Sequence, residues 1–194
     1  MKKKPDRIFY LHGFNSSPAS AKARMFVDYC HQRDIDVTVP SLPYDPARAM
    51  TLLEGLIDST KTENVLLVGS SLGGYYATWL AQKYNLPAAL VNPAVAPFED
   101  MGKKFLGWQK NIYTAEEYEF TQTHLDYLRT LCIKKINNPA NFLLLVQTGD
   151  KVLDYRLAVV LYAGCTQVVQ TGGSHSFDNC ASVFPIIMQF AGLE

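Results

Sequence analysis

Short apolar runs recur along the chain and alternate with longer segments in which apolar residues return at helical spacing. Most of these runs are apolar at successive positions rather than at alternate ones, which is typical of strands that are covered on both faces of a sheet. The pattern therefore predicts a mostly parallel sheet of about six strands. The predicted strands occupy residues 7–11, 36–39, 64–68, 88–92, 142–147 and 166–170.

Helices are predicted between these strands by their start signals. Ser17-Pro18 and Asp45-Pro46 each place a capping side chain before a proline that suits the first helical turn. Strands that alternate with helices predict a single α/β domain over 1–194, built as a three-layer α/β/α sandwich. The predicted helices occupy residues 18–33, 46–59, a segment directly after Ser71, 155–163 and 182–190.

The segment 93–140 interrupts the alternation. It shows glycines and scattered aromatic residues in a place that has room for another strand. Since a connection of this length is usually functional, we interpret 98–140 as a helical lid or cap inserted into the domain. Its aromatic side chains either line a pocket or pack two short helices onto the body of the protein. The sequence favours neither interpretation over the other.

Composition limits the class of protein. The chain has 194 residues, 48% hydrophobic and 19% charged, which is enough for a core of its own. Its formal charge of zero argues against nucleic acid as a partner. The basic opening at 1–4 is followed by Pro5 and Asp6 and not by the apolar region of a secretory signal. No apolar run reaches the ~18 residues that would span a bilayer. We therefore expect a cytoplasmic protein without a membrane span.

The four cysteines have neither CxxC spacing nor a histidine at a zinc-like interval. We expect reduced and mostly buried thiols, and neither a metal nor another cofactor. Cys180 lies near His175 in sequence and could be a reactive thiol, but a buried position in the final helix is the commoner role.

The strand at 64–68 runs into a Gly-x-Ser-x-Gly sequence at 69–73, and a helix is predicted directly after it. A serine between a strand end and a helix start lies on a tight bend that exposes its hydroxyl group. Gly69 and Gly73 flank Ser71, and side chains at these two positions would collide. This spacing favours Ser71 over Ser70 as a nucleophile. The pentapeptide alone occurs often by chance, so its strand and helix context carries the prediction.

A nucleophilic serine also needs two N–H donors for the negative charge that develops on a substrate oxygen. The Leu72 N–H, at the positive end of the predicted helix, is the first candidate. The second is expected in the loop after the first strand, where Gly13 permits a close approach and the Phe14 N–H is the candidate. His12 in the same loop is expected to shape the loop by hydrogen bonds.

A serine hydroxyl requires a base, and His175 is the best candidate among the histidines. It lies in a glycine-rich loop that follows the last predicted strand. His31, near the end of the first predicted helix, and His124, in the insertion, are predicted to be surface or packing residues.

Asp150 follows the strand at 142–147 and is predicted to orient the His175 ring. Asp154 is the reserve candidate, although a helix cap suits it better than it suits Asp150. The order Ser71, Asp150, His175 matches the chain order of α/β-hydrolases and differs from that of the chymotrypsin and subtilisin types. The three placements together predict a serine hydrolase.

The chain resembles the YqiA-type small esterases, which are bacterial members of the α/β-hydrolase superfamily. The resemblance spans nearly the full chain and implies esterase activity through Ser71, Asp150 and His175. It also implies that 7–11 is the first strand of an all-parallel sheet. The matching segments are YLHGFNSSP at 10–18, GSSLGGYYATWL at 69–80, VNPAV at 91–95, QTGD at 147–150, VLDYR at 152–156, and Gly172-Gly173 with His175 and Phe177.

The sequence thus predicts a cofactor-free serine esterase that cleaves a small-molecule acyl ester or thioester through an acyl-enzyme intermediate. One alternative is an acyl-CoA thioesterase or an acyltransferase. Its phosphorylated carrier would contact Lys103, Lys104 and Lys110, although these three lysines could simply form a solvent-exposed face. The other alternative is a non-catalytic hydrolase fold that binds a ligand or a protein. Neutral charge and exposed aromatic residues permit a dimer without requiring one.

Overall fold

The computed structural model describes residues 4–60 and 64–193, so most of the basic opening lies outside the described residues. Strands and helices alternate over most of this length, as predicted. In chain order they are β1 (Arg7–Leu11), α1 (Ala21–His31), β2 (Val37–Thr38), α2 (Pro46–Ser59), β3 (Val65–Ser70), α3 (Leu72–Tyr84), β4 (Ala88–Val91), α4 (Pro97–Lys104), β5 (Gly107–Lys110), β6 (Glu117–Phe120), α5 (Gln122–Thr130), β7 (Phe142–Gln147), α6 (Tyr155–Leu161), β8 (Thr166–Gln170) and α7 (Phe184–Ala191).

Six strands form one sheet in the order β2-β1-β3-β4-β7-β8. All five pairs of neighbours are parallel, so the predicted parallel sheet is confirmed. The carboxyl ends of the strands consequently lie along one edge. β1, β7 and β8 have the predicted bounds, and the other three strands differ from the prediction by at most two residues at either end.

Successive residues of the central strands face opposite layers. In β3, Leu67 belongs to a core cluster with residues of α2, α3 and the insertion, whereas Leu66 belongs to a second cluster with residues of α1 and α7. Each face of the sheet is therefore covered by helices, which explains why the strands are apolar at successive positions. The predicted three-layer sandwich is confirmed.

Of the two helix starts that a capping residue and a proline predict, the one at Asp45-Pro46 is confirmed and the one at Ser17-Pro18 is wrong. Asp45 caps α2 by accepting hydrogen bonds from the Ala47 and Arg48 N–H groups. Helix α1 begins at Ala21 and not at residue 18, because the Ser17 hydroxyl accepts the Ala19 N–H and stabilises a turn before the helix.

The insertion contains a β-hairpin between two helices. Strands β5 and β6 pair in antiparallel fashion, flanked by α4 and α5. The prediction of a helical insertion missed this hairpin, since each of its strands is only four residues long. Tyr118 and Phe120 point into the core from β6, whereas Glu117 and Glu119 are exposed. Among the described helices, none is long and apolar enough to cross a membrane.

Candidate active site

Ser71 lies at the corner between β3 and α3 with φ 55° and ψ −122°. A non-glycine residue in such a conformation costs about 1–3 kcal/mol, so surrounding contacts must hold it. The Ser71 N–H donates to the Val91 carbonyl over 3.2 Å, and its own carbonyl accepts the Gly74 and Ala94 N–H groups at 2.9 and 3.1 Å. These hydrogen bonds connect the corner to β4 and to the start of α3.

Three glycines let the backbone pack closely around this corner. A Cβ atom at Gly69 would lie 2.5 Å from the Gly73 carbonyl oxygen, as the predicted collision requires. A Cβ atom at Gly73 would instead meet the Leu11 carbonyl oxygen at 2.1 Å, so β1 is the neighbour that excludes a side chain there. A Cβ atom at Gly13 would lie 3.1 Å from the Ser71 Cβ. The loop after β1 therefore touches the corner directly.

His175 and Asp150 lie beside Ser71 in a chain of hydrogen bonds. His175 Nε2 is 3.1 Å from Ser71 Oγ, and His175 Nδ1 is 2.7 Å from Asp150 Oδ2. The three residues follow β3, β7 and β8, whose carboxyl ends share one edge of the sheet. The structure thus brings together the three side chains that the sequence singled out.

The environment of Asp150 stabilises its ionised form. Burial by itself would raise the pKa of this carboxyl group, whose side chain is only 2% exposed. The hydrogen bonds from His175 and from the Leu153 and Val152 N–H groups outweigh burial, and the pKa of Asp150 lies below its ordinary value. A carboxylate is therefore present beside the imidazole at neutral pH.

The competing acidic and basic candidates have other partners. The Asp154 carboxylate caps α6 and forms an ion pair with Arg156. His12 Nε2 accepts the Leu42 N–H, and Nδ1 contacts the Gly13 carbonyl, so His12 shapes its loop as predicted. Burial lowers the pKa of His12 despite that carbonyl contact. His124 belongs to the capping box of α5, and His31 is the exposed last residue of α1.

Phe14 and Leu72, the candidate donor residues, line one cavity together with Ser71 and His175. Leu72 is the first residue of α3, where N–H groups have no helical acceptor. The Phe14 ring packs against the rings of Phe105 and Phe120 at centroid distances of 5.1 and 5.2 Å. Side chains of the insertion therefore hold the loop that carries Phe14.

Two cavities of different character meet at Ser71 and His175. The first measures about 210 Å³ and is mainly apolar, with Met101 and Phe105 of the insertion and the preceding Pro97 in its wall. The second measures about 430 Å³ and is less apolar than the first, with Lys22, His12 and several serines among its lining residues. Ester substrates have two arms that diverge from one carbonyl carbon, and this pair of cavities could receive one arm each.

The three lysines of the carrier hypothesis have different surroundings. Lys104 lines the apolar cavity. Lys110 pairs with Glu117 across the hairpin at 3.0 Å, and both side chains are exposed. Lys103 is an exposed residue of α4. Only Lys104 of these three lysines borders either of the two cavities.

Two buried amides that the sequence reasoning overlooked hold the loop that bears His175. Asn92 donates to the Ser174 and His175 carbonyl oxygens and accepts the Gln147 N–H. The Gln147 side chain accepts the Ser174 and Asp178 N–H groups and donates to the Asp178 carbonyl. Their sequence signal was available, since each is a polar residue at the end of an apolar strand run.

Comparison with known proteins supports this architecture. UPF0227 protein PM0825 of Pasteurella multocida (strain Pm70) is 24% identical over 167 residues, covering 84% of this chain and 86% of the relative. A solved structure of mouse alpha/beta hydrolase domain-containing protein 10 has a TM-score of 0.70 and 15% identity, covering 100% of this chain and 90% of its own. A solved structure of the Paleococcus ferrophilus monoacylglycerol lipase has a TM-score of 0.72 and 14% identity. The match covers 100% of this chain and 97% of the lipase chain.

These structural likenesses confirm the predicted α/β-hydrolase fold. The model of the family described as Uncharacterised protein family (UPF0227) matches residues 7–192, which confirms the resemblance to YqiA-type proteins. Because this match extends over nearly the whole length, the chain belongs to the UPF0227 family.

Proposed function

We propose that the protein is a serine esterase in which Ser71 is the nucleophile, His175 the general base and Asp150 the residue that orients the imidazole. The proposal rests on one observation, the hydrogen-bond chain from Ser71 Oγ through the His175 ring to Asp150, with distances of 3.1 and 2.7 Å. This arrangement activates a hydroxyl group that would otherwise be a weak nucleophile.

In the first step Ser71 Oγ attacks the carbonyl carbon of an acyl ester while His175 Nε2 takes the hydroxyl proton. The Leu72 and Phe14 N–H groups are the proposed donors to the resulting oxyanion. Collapse of this intermediate breaks the bond to the leaving group, which takes the proton from His175. An acyl-enzyme remains.

In the second step His175 takes a proton from water, and the hydroxide attacks the acyl-enzyme carbonyl. Collapse releases the carboxylic acid and returns the proton from His175 to Ser71 Oγ. The Asp150 carboxylate stabilises the imidazolium in both steps. The reaction balances as ester plus water giving acid plus alcohol, or acid plus thiol for a thioester.

The apolar cavity is the proposed site of the acyl chain, because burying apolar surface there is favourable. Pro97, Met101 and Phe105 supply much of its wall and belong to the segment after β4. We assign the insertion at 98–140 the role of a cap that completes this acyl site. The solved structures with the same fold include a monoacylglycerol lipase.

The test compares the parent protein with Ser71→Ala, using p-nitrophenyl butyrate and a fluorophosphonate probe. We expect Ser71→Ala to lose nearly all turnover, by a factor of about 10³ or more, and to refuse the probe. Ser70→Ala is the matched control at the neighbouring hydroxyl and should still take the probe. Parent protein that is folded but refuses the probe would favour the non-catalytic binding protein, and labelling of Ser71→Ala would exclude Ser71 as the nucleophile.

A further inference from the structure

Lys22 extends from the first turn of α1 into the larger cavity beside Ser71. Its Nζ donates a hydrogen bond of 2.8 Å to the Ser70 hydroxyl, next to the proposed nucleophile. Ser70 is only 5% exposed, so this contact lies at the base of the cavity. The mechanism proposed above gives Lys22 no task.

Lys22 has no carboxylate partner among the ion pairs of residues 4–60 and 64–193. Two carboxylates around this site, Asp150 and Asp178, already have partners of their own. Asp150 binds His175, and Asp178 at the cavity wall accepts a hydrogen bond from the Ser174 hydroxyl. The Lys22 ammonium group therefore keeps two N–H donors beyond the one that Ser70 uses.

Lys22 is positively charged near neutral pH. Burial lowers the pKa of Lys22 to about 8, although the nearby Cys180 and Asp150 act in the opposite direction. The amine therefore remains protonated in most molecules at pH 7. A largely buried cation that no carboxylate contacts directly is costly, and an incoming anion would lower that cost.

We propose that the larger cavity binds the leaving-group arm of the substrate and that Lys22 recognises a negatively charged group on it, a carboxylate or a phosphate. Hydroxyl groups of Ser16, Ser20 and Ser176 line the same cavity and supply further donors to anionic oxygens. The substrate class is then an ester or thioester with an apolar acyl chain and an anionic alcohol or thiol. This inference rests on the proposed esterase function, since it assigns the two cavities to the two arms of one substrate.

The kinetic test uses pairs of substrates in which one leaving group carries an anion and the other does not. The butyryl ester of 4-hydroxybenzoate carries a carboxylate, and the butyryl ester of 4-hydroxybenzamide is its neutral counterpart. Butyryl-CoA and S-butyrylpantetheine form the corresponding pair for phosphate. We expect kcat/KM of the parent protein to favour the anionic member of at least one pair by roughly tenfold or more, mainly through KM. The pair that shows this preference identifies the anion as carboxylate or phosphate.

Variants then locate the cation responsible. Lys22→Met should abolish the preference for the anionic substrate, and Lys22→Arg should keep most of it. Lys103→Met removes an equal charge from the exposed face of α4 and should leave the ratio unchanged. The proposal is wrong if Lys104→Met abolishes the preference instead, or if Lys22→Met lowers kcat/KM for charged and neutral substrates by the same factor.

A binding measurement separates this proposal from the esterase proposal. Ser71→Ala protein is titrated calorimetrically with 4-hydroxybenzoate, 4-hydroxybenzamide and 3′-phosphoadenosine 5′-diphosphate, and the titrations are repeated with Lys22→Met and Lys22→Arg in the same background. Binding of an anion that requires Lys22 supports the anion site even if no ester is hydrolysed. Equal binding of charged and neutral compounds, or no binding of either anion, overturns it even if the esterase is active.

Discussion

The corner at Ser71 combines reactivity with backbone strain at a single residue. Its φ of 55° places a Cβ atom where only glycine is comfortable. A hydroxyl nucleophile at this position requires that Cβ atom, so the strain accompanies the chemistry.

This strain leads to a prediction about two variants that both lack the hydroxyl group. Ser71→Gly should be more stable than Ser71→Ala by about 1 kcal/mol. Glycine relieves the backbone strain of the folded protein, and this gain exceeds the entropic cost of the more flexible unfolded chain. Urea unfolding followed by circular dichroism measures the difference. Equal stability of the two variants would mean that the strain is no larger than the entropic cost of the glycine, and would contradict this prediction.

Asp150 offers a second test at the scale of one side chain. Asp150→Asn should keep the fold but lower kcat for p-nitrophenyl butyrate by about 10³–10⁴, because an amide no longer selects the productive imidazole tautomer. Comparison with Asp154→Asn provides a matched control, since Asp154 caps α6 and binds Arg156. If Asp154→Asn lowered kcat more than Asp150→Asn, Asp154 and not Asp150 would be the residue that orients His175.

The same carboxylate links stability to pH. The pKa of Asp150 in the folded protein lies below its ordinary value of 3.8, so its stabilising contribution is present above that value and is lost as pH falls through the folded pKa. The difference in unfolding free energy between the parent and Asp150→Asn should therefore shrink as the pH is lowered below about 4. A difference that grows in acid would contradict this sign.

At the scale of elements, β4 and β7 do more than build the sheet, because the amides at their ends fix the loop after β8. The Gln147 side chain is only 4% exposed, and it binds that loop through both its oxygen and its nitrogen. The position of the loop that carries His175 therefore depends on hydrogen bonds from a residue that is not one of the three proposed catalytic side chains.

Gln147→Leu should lower kcat at least tenfold, because a displacement of His175 of about 1 Å weakens proton transfer strongly. KM for a neutral ester should change much less. Titration with the fluorophosphonate probe counts the molecules that have a working active site. If Gln147→Leu lost activity only because part of the protein is unfolded, kcat per labelled molecule would be unchanged. Gln167→Leu is the control. Gln167 lies in β8 and donates to the Val159 and Tyr162 carbonyls, at and just after α6.

The elements also show which local patterns can be predicted. β7 is fully buried and nearly continuously apolar, so it could be predicted from sequence to the residue. β8 also has its predicted bounds, although it is a partly exposed edge strand with only two adjacent valines. The hairpin could not be predicted, because each strand has four residues and the Glu-Tyr-Glu-Phe alternation of β6 is too short to exceed chance. Likewise, Ser17-Pro18 is a genuine turn signal, and only the surrounding chain determines that α1 begins three residues after Pro18, at Ala21.

At the scale of the whole molecule, the order of strands determines which residues meet. Ser71, Asp150 and His175 could be predicted because each follows a strand, and parallel strands place their carboxyl ends at one edge. Lys22 could not be assigned to the same site, since a lysine in an amphipathic helix usually faces water. Its placement follows from how α1 packs on the sheet, a long-range property that local patterns do not contain.

The two helical layers share the same strands, which predicts that the domain unfolds as one unit. In β3, Leu66 belongs to the core cluster of α1 and α7, whereas Leu67 belongs to the cluster against which Trp79 of α3 packs. The other tryptophan, Trp108 of the hairpin, is 75% exposed. Both leucines are at most 1% exposed, so truncation of either creates a cavity. A cavity on one face weakens the strands on which the other face depends.

Leu66→Ala should therefore lower the free energy of unfolding by about 3 kcal/mol and Tm by roughly 6–12 °C. Tryptophan fluorescence reports the layer opposite to the mutation, and far-ultraviolet circular dichroism reports the whole domain. Because the sheet couples the layers, both signals should shift by the same amount, and Leu67→Ala should produce a similar common shift. If Leu66→Ala moved the dichroism transition and left the fluorescence transition in place, the two layers would be unfolding independently, and the shared strands would not transmit stability between them.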